Sequence, residues 1–199
     1  MRFAIDVDGV VANYVQAFVH EVNLLWPGRL PIDYQFPEWH EIGDLTEGEI
    51  KRVLGVIHSK PNWWMGLRPY MENVSAIARH RKQFPSDELY FVTARQDTEG
   101  MPTMHQTQEW LRMCGIYGLG TGVIVDYGGD KVPIYNALQC DANIDDKLEA
   151  AIAHSRNTRN GILLDRVWNR TNRPPSVIAV SNLSEFFALA RGGSKHATV

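Results

Sequence analysis

Phe3-Ala4-Ile5-Asp6-Val7-Asp8-Gly9-Val10-Val11-Ala12 brings together an apolar run, two aspartates two residues apart and a glycine. Short runs rich in β-branched and aromatic residues, closed by a turn former, read as buried strands. In a regular strand Asp6 and Asp8 would face the same way. Because the chain turns at Gly9, the two carboxylates can instead converge on one point and play different parts. A carboxylate can attack phosphorus and form an aspartyl phosphate. Mg²⁺ takes carboxylate oxygens together with substrate phosphate. Taken alone, the stretch reads equally well as a charged strand terminus with a turn glycine.

Outward from this stretch, strand-like runs recur at 3–7, 89–93, 123–126, 142–145, 162–165 and 177–180, with helix-compatible segments at 71–83, 103–114, 132–138 and 147–154. Alternating strands and helices predict an α/β fold, a mainly parallel sheet with helices on both faces. Ligands of such sheets bind at the carboxyl ends of the strands. Asp6, Thr93 and Asp145 each close an apolar run there. One interval breaks the rhythm: residues 14–66 read as a helical insertion, with helices over 14–25 and 46–59 joined by a segment carrying Pro27, Pro31 and Pro37. Thr46 with Glu49 three residues on predicts a capping box. Rooted beside the first strand, the insertion would lie over the carboxyl edge as a cap. Residues 1–13 and 67–190 then form the core, and the glycine-containing 191–199 a frayed tail.

With 44% hydrophobic and 22% charged residues, the chain has the balance of a soluble globular protein that buries a core. A net charge of −3 with scattered Lys and Arg points away from a nucleic-acid partner. Cys114 and Cys140 fit neither a metal knuckle nor a secreted disulfide framework and read as reduced thiols, hence a cytoplasmic setting. No leader is visible, and no apolar run reaches the ~18 residues of a membrane span. The histidines have no metal-ligand spacing and read as surface residues, His40 in the cap loop being the mild candidate for substrate contact.

Three further pieces carry chemistry. In Phe91-Val92-Thr93-Ala94-Arg95 a strand ends in a hydroxyl, backbone amides and a guanidinium, donors that suit a phosphoryl group, although a strand-end Thr and a surface Arg are commonplace. Lys131, after a strand and opening a helix, could offset phosphoryl charge or simply be solvated. In Asn143-Ile144-Asp145-Asp146-Lys147 two adjacent acids repel, which a divalent cation relieves, while capping of the next helix is the competing reading.

In this order these pieces resemble the haloacid dehalogenase superfamily of phosphohydrolases, whose Rossmann-like core and inserted cap the whole chain through about residue 190 would then share. The resemblance implies Asp6 as nucleophile, Asp8 as general acid and base, Thr93 as phosphoryl ligand and Lys131 as charge partner. It also implies Mg²⁺ held by Asp6, the backbone carbonyl of Asp8 and Asp146, with Asp145 beside them through water. Members using carbon or phosphonate chemistry tend to lack an acid at the position of Asp8, so phosphate-ester hydrolysis is implied. Within the superfamily the chain looks most like 5'-nucleotidases of the deoxyribonucleotidase type, through Asn62 to Tyr70, Ile144 to Asp146 and Leu163 to Arg170. It departs from many of them in having Arg95 after Thr93-Ala94. The implied substrate is a nucleoside monophosphate, contacted by Ala94 and Arg95, with Trp64, Phe36 and Trp39 as cap aromatics on which a base would stack for ~1 to 3 kcal/mol. Another small phosphate ester, a nucleic-acid 3' end, or nucleotide binding without turnover are the competing readings, and a homodimer stays open.

Overall fold

The computed structural model describes residues 1–35, 42, 45–128, 130–157 and 161–192. Six parallel strands form one sheet: β1 (Arg2–Asp6), β2 (Glu88–Thr93), β3 (Thr121–Val125), β4 (Ala142–Asp145), β5 (Gly161–Leu164) and β6 (Ile178–Val180). Their order is β3-β2-β1-β4-β5-β6, an α/β, Rossmann-like arrangement. Every residue of β4 and β5 is buried, which explains why these strands read as continuous apolar runs. The main core joins Phe3, Ile5, Phe91, Ile144 and Ile162 of the sheet to Ile77, Trp110 and Phe186 on its helices.

Between strands run α3 (Met71–Gln83), α4 (Thr103–Met113), α5 (Val132–Leu138) and α6 (Leu148–Asn157), close to the segments predicted. A further helix follows the last strand, α7 (Leu183–Ala190), capped by the Asn182 side chain accepting from Glu185 N. No helix was expected there. It is short, and what holds it is tertiary: Phe186 and Phe187 pack edge-on against Phe3.

Between β1 and α3 lie α1 (Tyr14–Leu25) and α2 (Glu47–His58), then a short 3-10 helix (Trp63–Gly66). Asn13 caps α1, and α2 carries the predicted capping box, Thr46 N donating to Glu49 Oε2 at 2.7 Å. The pair buries its own apolar cluster, Val15, Phe18, Val22, Val53 and Ile57, which reaches Trp168 beyond β5. Its two connections to the sheet run side by side: Asn13 N donates to Arg68 O and Tyr70 N to Val11 O. Phe36, Trp39 and His40 lie outside the described residues, as do 193–199 of the expected tail.

Among the described residues, His80 departs furthest from the surface reading. His80 is 4% exposed, stacked on Phe187 at 3.8 Å and hydrogen-bonded to Asp87 at 2.9 Å. Burial lowers its pKa below the usual value despite Asp87. Cys114 and Cys140 are free and half-buried, and burial pushes both thiols up to about 11. Among the described residues no helix is long and apolar enough to cross a membrane.

Candidate active site

The strand order reverses between β1 and β4, and at such a switch point an open parallel sheet leaves a crevice at its carboxyl edge. Asp6 pairs with Val92, and Ile5 with Ile144, so the register sets Asp6, Thr93 and Asp145 along that edge. Asp6 is 3% exposed and Asp146 1%. One oxygen each from Asp6, Asp145 and Asp146 lie within 4.8 Å of one another. Lys131, immediately before α5, puts Nζ 2.7 Å from Asp6 Oδ1 and 3.0 Å from Asp145 Oδ2. Burial works to deprotonate this ammonium, but Asp145 and Asp6 outweigh it and raise its pKa well above the lysine range. Burial and the neighbouring carboxylates push Asp6 well above the carboxylate range, against the pull of Lys131. Asp146 is pushed up to about 6 by burial and by Asp145.

The four oxygens of the adjacent acids are not equivalent. Asp145 accepts from Lys131 Nζ on Oδ2 and from Lys147 N on Oδ1. Asp146 Oδ2 accepts from Trp168 Nε1 at 3.0 Å, whereas its Oδ1 is buried with no hydrogen-bond partner. A buried acceptor left unpaired costs ~1 to 3 kcal/mol, more when charged. A hard divalent cation would satisfy that oxygen and relieve the repulsion, so the residues present fit Mg²⁺. Gly9 makes this packing possible: its φ is +81°, and a Cβ there would lie 2.0 Å from Asp146 Oδ2.

Asp8 lies beyond the strand end. Its Oδ2 accepts from Thr93 Oγ1 at 2.8 Å and from Arg95 Nε at 2.8 Å, and its Oδ1 from Arg95 Nη2 at 2.9 Å. Arg95, expected to meet an anionic substrate, is therefore fully buried behind Asp8; the carboxylate takes the fork that a phosphate was expected to take. Thr93 likewise gives its hydroxyl proton to Asp8. Trp64, expected to stack a base, is 5% exposed. Arg95 Cζ sits 4.7 Å over its ring, Tyr14 stacks at 6.1 Å and Trp63 meets it edge-on at 4.9 Å. These neighbours cover most of the indole, and the part left free borders the site cavity.

Asp6, Asp8, Thr93, Ala94, Lys131 and Asp146 open on a cavity of about 110 Å³, roofed by Tyr14, Leu54, Ile57 and His58 of α1 and α2. Sequence reasoning passed over these roof residues, since a helical apolar period carries no sign of what it covers. Burial, aided by Asp8, pushes the Tyr14 phenol well above its usual pKa. It also passed over the brace behind Asp146. Trp168 and Asn169 hold its side chain and carbonyl, and Arg166 Nε donates to Gly9 O at 2.8 Å. The likeness of 163–170 to a known strand and loop was the available signal. A larger hollow of about 1040 Å³ lies beside α1 and residues 60–68. Among the described residues its one acid, Glu21, is committed to Lys60 and Trp63, whereas Asp6, Asp146 and Lys131 border the smaller cavity.

No family model and no curated protein sequence matches the chain. Solved structures do. A haloacid dehalogenase-like family hydrolase from Streptococcus pneumoniae superposes with a TM-score of 0.60 at 10% identity, covering 94% of this chain and 97% of that one. A protein described as a phosphoglycolate phosphatase from Lactobacillus delbrueckii subsp. bulgaricus gives 0.61 at 12%, covering 98% of both. The L-2-haloacid dehalogenase of Xanthobacter autotrophicus, with chloropropionic acid covalently bound, gives 0.56 at 12%, covering 97% and 99%. At such identities the likeness shows the fold, that of haloacid dehalogenase-like hydrolases.

Proposed function

We propose that this chain is a Mg²⁺-dependent phosphomonoester hydrolase of the haloacid dehalogenase superfamily, working through an aspartyl phosphate on Asp6. The observation that carries the reading is the buried group Asp6, Asp145 and Asp146 with Lys131 on it, next to a second acid, Asp8. Carbon chemistry, as in the dehalogenase of the same fold, needs no acid at that position; ester hydrolysis does.

Asp6 attacks phosphorus while the bond to the leaving oxygen breaks, and Asp8 gives that oxygen its proton. Asp8 then takes a proton from the water that attacks the aspartyl phosphate, releasing inorganic phosphate and restoring both acids. Lys131 fixes Asp6 through Oδ1 and offsets the charge gathered at the site. Asp6, Asp146 and the Asp8 carbonyl would hold Mg²⁺, with Asp145 behind them; the ion supplies charge neutralisation of the phosphoryl oxygens. The α1–α2 cap excludes water until hydrolysis.

A cavity of about 110 Å³ is small against the ~300 to 1,000 Å³ of most ligand sites. This favours a small phosphate ester over a nucleoside monophosphate; the nucleotide reading rests on Phe36, Trp39 and the part of Trp64 that borders the cavity. Phosphate release with Mg²⁺ from short alkyl phosphates, deoxynucleotides and a 3'-phosphorylated oligonucleotide separates these substrates. Release at the level of an Asp6→Asn control from all of them sinks the enzyme reading, and tight nucleotide binding without release favours a binding protein.

A further inference from the structure

We infer that Arg95 is a positioning residue that fixes the carboxylate of Asp8 and leaves Asp8 Oδ1 as the atom through which protons pass. The inference rests on the phosphohydrolase reading of the site. A carboxylate offers about four lone-pair positions. Arg95 Nε and Thr93 Oγ1 fill two on Oδ2, and Arg95 Nη2 fills one on Oδ1. The remaining position is on Oδ1, and Asp8, 17% exposed in its side chain, borders the cavity.

The guanidinium cannot drift. Its Nη1 donates to Thr107 Oγ1 at 3.0 Å, and Thr107 is itself tied to Thr103 O. The Trp64 ring covers it, held in turn by Nε1 donating to Gln96 O at 2.9 Å. An arginine so enclosed cannot reach substrate; its geometric effect is on Asp8. Lysine would keep the charge but could not span both oxygens.

The test compares β-glycerophosphate, whose alkoxide needs a proton as it leaves, with p-nitrophenyl phosphate, whose phenolate leaves without one, in the wild type, Arg95→Met and Arg95→Lys. Misaligned Asp8 slows the first step for the alkyl ester and the second step for both. Arg95→Met is expected to lower kcat for β-glycerophosphate by ~100-fold or more, with KM within about threefold. With p-nitrophenyl phosphate it gives a stoichiometric burst of phenolate and a phosphoryl group trapped on Asp6, read by mass spectrometry after acid quench. Arg95→Lys shows the same burst with a loss of at least tenfold. Variants that keep wild-type kcat on both esters, or lose both equally without a burst, overturn the inference. Should Arg95→Met not fold, Arg95→Lys, which keeps the buried charge, decides on the same readouts. A wild type that cleaves neither ester overturns the phosphohydrolase reading and this inference with it.

Discussion

At Gly9 a positive φ and a neighbouring carboxylate act on one backbone atom. Any side chain there meets Asp146 Oδ2 and adds the cost of a left-handed conformation, ~1 to 2 kcal/mol. Gly9→Ala is therefore expected to displace Asp146 and cut Mg²⁺-dependent turnover on the order of 100-fold, checked by titrating the rate with Mg²⁺. Trp168 tests the same atom from the other side. Trp168→Phe keeps an aromatic ring but removes the donor to Asp146 Oδ2, and losing such a supporting bond is expected to weaken Mg²⁺ binding ~10- to 100-fold, measured by calorimetry. Asp6, Asp8 and Gly9 were readable because they are neighbours in the chain. Trp168 was not, because its partner is 22 residues away and only the fold of the segment after β5 brings them together.

Helices were legible where local signals exist. The Thr46 and Glu49 capping box appears as read. Helix α7 escaped because its support is distant: Asn73 of α3 accepts from Leu183 N at 3.0 Å and donates to Val10 O at 2.7 Å. This one buried amide joins α3, the loop after β1 and the start of α7. Asn73→Ala leaves two buried backbone groups unpaired, at ~1 to 3 kcal/mol each. Urea denaturation is expected to show a loss of about 2 to 4 kcal/mol, with a Mg²⁺-binding defect only as far as the Val10 loop loosens. An unchanged midpoint would rule out this tie.

For the whole molecule, the carboxylate group at the switch point sets a link between pH and stability. Asp146 has its pKa raised from 3.8 to about 6, and Asp6 is raised as well. The folded state thus holds these protons more tightly than the unfolded chain. In the metal-free protein the contribution of Asp146 is fully present below about pH 4 and is lost as pH rises through about 6, by up to about 3 kcal/mol. Asp87 and Asp165, held below the usual carboxylate range by their cationic partners despite burial, contribute with the opposite sign. Mg²⁺ held as proposed would compete with the same protons, so its rise in Tm is expected to be larger at about pH 7.5 than at about pH 5. Thermal melts with Mg²⁺ and with EDTA check both signs. By itself the sequence determined the α/β class, the strand ends that carry Asp6, Thr93 and Asp145, and the two helices that follow β1, because periodicity and turn residues are encoded within a few positions. Only the tertiary structure decided that Arg95 grips Asp8, that Trp64 is covered, and that Asp146 Oδ1 is left without a partner. Those outcomes depend on which strands lie side by side and on the volume left between them. The stretch that opens at Phe3 fixes which carboxylates stand at the end of β1; the parallel register and the packing of α1 and α2 fix what each of them faces.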